Sequence, residues 1–182
     1  MDKNQTAKIL MKDEKVLYTI KPCKTKLVVS SLLTMLFVIG LSFLTFLIPA
    51  EEGDDLAAKN MWTGIGVGVV AAVMILVFIC QLLAYRNRFY TVTDKRFIIQ
   101  SGLLGIDFAS VPVEAVQFLS VNVSVLDKIL RRGTGSITFG TVSTPIAAQN
   151  QATGFRYGDI PNVYENYKVF KELIDNAQQS KE

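Results

Sequence analysis

Two stretches of this chain carry no charged residue, 27–48 (LVVSSLLTMLFVIGLSFLTFLI) and 61–85 (MWTGIGVGVVAAVMILVFICQLLAY). No other feature restricts the fold as strongly. A helix rises about 1.5 Å per residue, so the first run reaches about 33 Å, enough to cross a hydrocarbon core of about 30 Å. Both runs exceed the roughly 18 apolar residues that mark a membrane span. The pattern predicts two transmembrane helices. The first is longer than the apolar core of about 7–15 residues in a secretory signal, and the PAEEGDD that follows it has no small-x-small cleavage pattern. It therefore reads as an uncleaved anchor.

Charge gives the expected orientation. Residues 1–26 hold seven lysines and three acids, a net of +4; residues 49–60 hold Glu51, Glu52, Asp54, Asp55 and Lys59, a net of −3; residues 86–182 hold eleven Lys/Arg and nine acids, a net of +2. Positive residues collect on the cytoplasmic side of membrane spans. Lys21, Lys24 and Lys26 precede the first run, and Arg86, Arg88, Lys95 and Arg96 follow the second. Both termini are expected in the cytoplasm, joined by a short acidic loop outside. Trp62 and Tyr85 lie near the two ends of the second run, where amphipathic aromatics favour the interface.

After residue 85 the apolar runs give way to alternation. Residues 89–93 (FYTVT), 96–100 (RFIIQ), 106–113 (IDFASVPV), 115–123 (AVQFLSVNV) and 136–142 (SITFGTV) read as strands, with a weaker one at 153–157 (TGFRY). Spacing of about 8–12 residues with glycine-rich punctuation argues an antiparallel sheet or barrel. Asn162 can cap a helix, with Glu165 as its capping-box partner. Val163, Tyr167, Phe170 and Ile174 then share one helical face. The expected class is a membrane helical hairpin followed by an α+β domain, an antiparallel sheet or barrel closed by a C-terminal helix.

Several stretches resemble the bacterial pleckstrin-homology-like (PH-like) family of small membrane proteins. They are Tyr90-Thr91-Val92-Thr93-Asp94-Lys95-Arg96 followed by Ser101-Gly102-Leu103, then Val111-Pro112-Val113-Glu114-Ala115-Val116-Gln117. The one-turn segment Ser124-Val125-Leu126-Asp127-Lys128-Ile129-Leu130 with Gly133-Thr134, and the ending Ile160-Pro161-Asn162-Val163-Tyr164, are similar too. The resemblance covers about residues 15–176 and implies the short form, two transmembrane helices followed by one PH-like domain. It implies no catalytic residues.

The organisation expected is a cytoplasmic segment at 1–26, spans at 27–48 and 61–85, an external loop at 49–60, a PH-like domain at 86–176 and a tail at 177–182. The chain has no histidine, which excludes Ser-His-Asp and Cys-His nucleophiles and His-ligated metals. Its two cysteines, Cys23 and Cys80, cannot build a disulfide framework or a four-thiolate zinc site. No paired carboxylates or Walker lysine motif appear, so no catalytic, cofactor or metal site is assigned. Asp94, Asp107, Asp127 and Asp159 read as isolated turn residues.

The glycines of Gly64-Ile65-Gly66-Val67-Gly68 have no strand before them and are no phosphate loop. Gly64, Gly68 and Ala72 instead form a small-xxx-small face for close helix packing, against the first span or a second copy. Gln81 is the one strongly polar side chain in the runs, and Ser30, Ser31, Thr34, Ser42 and Thr45 can add interhelical hydrogen bonds. Candidate lipid contacts are Arg86, Arg88, Lys95 and Arg96 beside the second span, and Lys128, Arg131 and Arg132 next to Leu126, Ile129 and Leu130. The same charges also serve as ordinary topology determinants. In eukaryotic PH domains basic residues on the first two strands bind phosphoinositides, and Arg88, Lys95 and Arg96 occupy roughly that region. A net of +2 over 86–182 is too little for a nucleic-acid partner. The reading is a non-enzymatic scaffold or accessory subunit of a membrane assembly in a bacterial plasma membrane, possible as a homo-oligomer. Its partners are membrane lipid and other membrane proteins or itself. The alternative is an anchored sensor of anionic lipid headgroups. The segment 142–154 is expected to be a solvated loop or a partner contact.

Overall fold

The computed structural model describes residues 4–48, 56–130, 133–141 and 155–179. Arg131, Arg132, the 142–154 segment and most of the acidic loop lie outside these. The chain divides into two compact units, Met1–Lys26 with Leu83–Glu182, and Leu27–Leu82.

The apolar unit holds the helices expected from the two uncharged runs. Helix α1 spans Lys24–Phe43 and continues as a 3-10 turn, Leu44–Leu47; α2 spans Leu56–Asn87. Both are long and apolar enough to cross a membrane. Neither buries a residue, and large side chains such as Leu36, Phe37, Trp62 and Leu76 are exposed around their circumference. Such surfaces suit hydrocarbon rather than water. Among the expected polar bridges, only the Ser31 hydroxyl crosses to the other helix, donating to Gln81 Oε1. The hydroxyls of Ser30, Thr34, Ser42 and Thr45 instead donate to carbonyls of their own helix or its 3-10 extension. This local bond is the usual choice of Ser and Thr inside helices. A Cβ on Gly64 or Gly68 would meet no atom within 4 Å, so their face is not packed against α1.

The second unit is wider than the 86–176 stretch drawn from the alternation. It takes in β1, Val16–Ile20, from the segment before α1. The strands after α2 are β2 (Phe89–Thr93), β3 (Arg96–Ser101), β4 (Asp107–Pro112) and β5 (Val116–Asn122). The short helix α3 (Val125–Leu130), strands β6 (Gly135–Thr141) and β7 (Arg156–Ile160), and helix α4 (Val163–Gln179) complete it. The strands form two antiparallel sheets, β1-β2-β3-β4 and β5-β6-β7. The sheets are separate ladders among the described residues, an open α+β arrangement rather than one continuous barrel. The last strand lies three residues later than the alternation at 153–157 suggested.

The core joins the layers. Phe97 of β3, Phe139 of β6, Tyr157 of β7 and Phe170 of α4 are buried, with ring centroids 4.5–6.2 Å apart. Tyr18 of β1 stacks on Phe170 at 6.2 Å. The Tyr157 hydroxyl reaches from the three-stranded sheet into the other, accepting from the Ile98 amide at 3.0 Å and lying 2.9 Å from the Thr91 carbonyl. Burial raises its pKa well above the usual tyrosine value, so it stays an O–H donor.

Helix α4 buries Val163, Phe170 and Ile174, with Tyr167 packed against the core, the face expected from the sequence. Its start differs from the expected Asn162–Glu165 capping box. Asn162 lies at φ 47°, a left-handed conformation that asparagine tolerates. The Val163 amide donates to the Gly133 carbonyl, and the Asn166 side chain donates to the carbonyls of Pro161 and Asn162.

Candidate functional site

Among the described residues of the β-rich unit, polar clusters stand at each end of β2. At the end where α1 begins and α2 finishes, Asp127 organises the first. Ser124 precedes α3, and Asp127 is its third residue. The Asp127 amide donates to Ser124 Oγ at 3.3 Å and the Ser124 amide donates to Asp127 Oδ2 at 2.9 Å, a reciprocal capping box. The same carboxylate accepts from the hydroxyls of Ser124 (2.6 Å) and Thr134 (2.5 Å). Lys26 Nζ lies 2.8 Å from Asp127 Oδ2 and 2.6 Å from Asp159 Oδ1. The Asp127 side chain is 1% exposed and that of Lys26 13%. Burial alone would raise the Asp127 carboxyl, but the hydrogen bonds from Lys26, Ser124 and Thr134 outweigh it and hold it at about 2. The carboxylate is therefore ionised at neutral pH and ties α3 to the last residue before the first apolar run. Asp127 and Asp159, read from the sequence as isolated turn residues, converge on one lysine.

The same end carries a second tie. Asn87, the last residue of α2, donates from Nδ2 to the carbonyls of Gly102 and Leu103 at 3.3 and 3.4 Å. Its own carbonyl accepts from the buried Gln100 side chain at 3.2 Å. Lys21 Nζ sits over the rings of Tyr85 and Phe89, 5.3 and 4.8 Å from their centroids, a cation–π arrangement.

The other cluster occupies the turn between β2 and β3. Arg96 donates to both oxygens of the buried Glu14, from Nε and an Nη at 2.9 Å each, and to the Ile9 carbonyl at 2.6 Å. Glu14 also accepts from Thr93 Oγ1 and the Met11 amide at 2.8 Å each. Burial pushes the Glu14 carboxyl up, while Arg96, the Met11 amide and Thr93 pull it down to a net value of about 2.

These positions divide the seven candidate lipid contacts. Arg86 is exposed at the end of α2 and Arg88 is half-buried beside it, whereas Lys95 and Arg96 stand at the far end of β2. The expected four-residue patch is thus split by the length of a strand, and Arg96 is engaged by Glu14. Lys128 is exposed on α3. Arg131 and Arg132 lie outside the described residues. Sequence reasoning missed Glu14, Lys26 and Asn87. The five-residue run VLYTI at 16–20, rich in β-branched and aromatic residues, was the available signal that the segment before α1 belongs to the sheet. Among the described residues no three His, Cys, Asp or Glu side chains group as a metal site would require.

A family model described as the bacterial PH domain matches residues 28–175. The chain belongs to this family. The match covers both apolar helices together with β2 to β7 and most of α4, in the order expected for a short membrane form. Strand β1 of this bacterial PH domain protein precedes the matched range, although it pairs with β2 along the sheet edge. No curated protein and no solved structure matches the chain.

Proposed function

We propose that this bacterial PH domain protein is anchored by both apolar helices in a bacterial plasma membrane, with the PH-like unit and both termini in the cytoplasm. There it works as a non-catalytic scaffold or accessory subunit of a membrane assembly. One observation carries the topology: β1, which precedes α1, pairs with β2, which follows α2, in the register Thr19 opposite Thr91 and Ile20 opposite Tyr90. Strands on either side of a two-helix hairpin can pair only when both ends of the hairpin emerge on the same face. The lysines before α1 and the arginines after α2 favour the cytoplasm for that face.

The open face at Gly64, Gly68 and Ala72 supports self-association, because glycine and alanine let a second helix backbone approach closely. The test is native mass spectrometry of the full-length chain, extracted gently from its own membrane. A defined complex with itself or another protein is the expected outcome. A bare monomer under conditions that preserve other membrane complexes would overturn the scaffold role. A monomer carrying anionic lipid would favour headgroup recognition instead, a reading supported by the exposed Arg86 and Lys128.

A further inference from the structure

Among the described residues of the β-rich unit, three large apolar side chains stand out by exposure: Leu104 at 93%, Val125 at 72% and Ile129 at 68%. Leu104 forms the tip of the β3–β4 hairpin together with the exposed Leu103. Val125 and Ile129 lie one helical turn apart on α3, on the face opposite the buried Asp127.

Each of these apolar points is tied to the end of a different apolar helix. The hairpin tip is held by Asn87, the last residue of α2, through the carbonyls of Gly102 and Leu103. Its backbone is specific to glycine, since Gly102 has φ +136° and a Cβ there would lie 2.3 Å from the Gly105 carbonyl oxygen. Helix α3 is held by Lys26, immediately before the uncharged run, through the Asp127 carboxylate. Both ties are charge-assisted or paired with a buried side chain, so neither apolar point is free to withdraw from the end of its helix.

We propose that the PH-like unit rests on the bilayer through these two prongs, Leu103–Leu104 and Val125–Ile129, which enter the interfacial zone of the membrane that holds α1 and α2. The inference rests on the reading of both helices as spans. Two prongs fastened where two separate spans emerge have one surface in common, the membrane surface. Lys128 beside Val125 and Arg86 beside Asn87 add positive charge suited to phosphate headgroups at the same level. Apolar side chains backed by basic ones are the composition that settles into a headgroup–acyl boundary. The prongs would fix the height and tilt of the domain and decide which of its faces a partner can reach.

Trp62 is the sole tryptophan, which gives a direct test. The full chain is reconstituted in phosphatidylcholine–phosphatidylglycerol vesicles with or without lipids bearing a nitroxide at a shallow acyl carbon. Wild-type Trp62 reports on the spans. In a Trp62→Phe background, Leu104→Trp and Val125→Trp report on the prongs. Met11→Trp is the reference, because the Lys95–Lys12 contact (3.5 Å) places this loop at the far end of β2. The expected result is severalfold stronger quenching at 104 and 125 than at 11, with blue-shifted emission. Quenching at 62 with none at 104 and 125 would overturn the prongs and leave the spans standing. No quenching at 62 would remove the spans and the prongs together. Residues 104 and 125 shielded from both nitroxide lipid and aqueous acrylamide would overturn the lipid contact in favour of a protein surface.

Discussion

Lys26 and Asp127, 101 residues apart in sequence, form a charge-assisted hydrogen bond of 2.8 Å with the carboxylate almost wholly buried. Replacing Lys26 by Met removes the one cation paired with this acid among the described residues, while Ser124 and Thr134 still donate to it. Removing one partner of a buried pair costs about 3–5 kcal/mol, and the remaining donors place this case at the lower end. Hydrogen exchange of the full chain in detergent should show faster exchange at α3 and at the start of β6. The double variant Lys26→Met with Asp127→Leu should cost less than the two single changes added together.

The acids predict a pH dependence. The unfolded values are 4.5 for Glu14 and 3.8 for Asp127, and both carboxyls fall to about 2 in the folded protein. A depressed acid contributes stability that is fully present above its unfolded pKa and is lost as pH falls through the folded pKa. The shifts correspond to about 2–3.5 kcal/mol each, the larger for Glu14. Thermal unfolding of the β-rich unit, followed by near-UV circular dichroism, should therefore be constant above about pH 5 and weaken toward pH 2. Glu14→Gln and Asp127→Asn should each start lower at neutral pH and flatten that slope.

Tyr157→Phe tests the link between the sheets. The phenylalanine ring fills the same space but leaves the Ile98 amide without its hydroxyl acceptor. A buried donor left unsatisfied costs about 1–3 kcal/mol. The melting temperature should fall, and the Ile98 amide should exchange faster, while the ring contacts with Phe97 and Phe139 are kept.

Gly102→Ala should loosen the hairpin tip. The new Cβ would collide with backbone, and φ +136° is unfavourable to any residue with a side chain. A loss of about 1–3 kcal/mol is expected, confined to β3, β4 and the Asn87 contacts. Backbone amide shifts around 87 and 100–107 would move, and those of α4 would not.

A fragment beginning at residue 86 should fold poorly. It lacks β1, whose Tyr18 stacks on Phe170, and Glu14, which neutralises Arg96. It also exposes the outer edge of β2, an invitation to association. Well-dispersed amide spectra from residues 86–182 alone would contradict this role for the N-terminal segment. Adding residues 4–23 through a flexible linker should restore dispersion.

Much of the architecture was legible locally. Helices α1 and α2 follow from the absence of charge over 27–48 and 61–85. Strands β2 to β6 came within about a residue or two of their alternation, because a half-buried strand must repeat every second residue. The face of α4 followed from the spacing of Val163, Phe170 and Ile174. The site was much less legible. Lys95 and Arg96 are close in sequence to Arg86 and Arg88, yet a strand is extended and carries them to its far end. β1 was hidden because five residues between lysines show too short a pattern to separate from a linker.

By itself, then, the sequence determined the two apolar helices, the charge difference across them, the strand-rich nature of the remainder and the family. Each is written in residues that are neighbours along the chain, where period and composition act directly. Only the tertiary structure decided that β1 completes the first sheet, that Glu14 holds Arg96, that Asp127 and Asp159 share Lys26, and that Asn87 holds the hairpin tip. These partners lie 15 to 133 residues apart. Strand edges and single charges carry no local mark of their mate, so the pairing is settled when the core closes and desolvates them together.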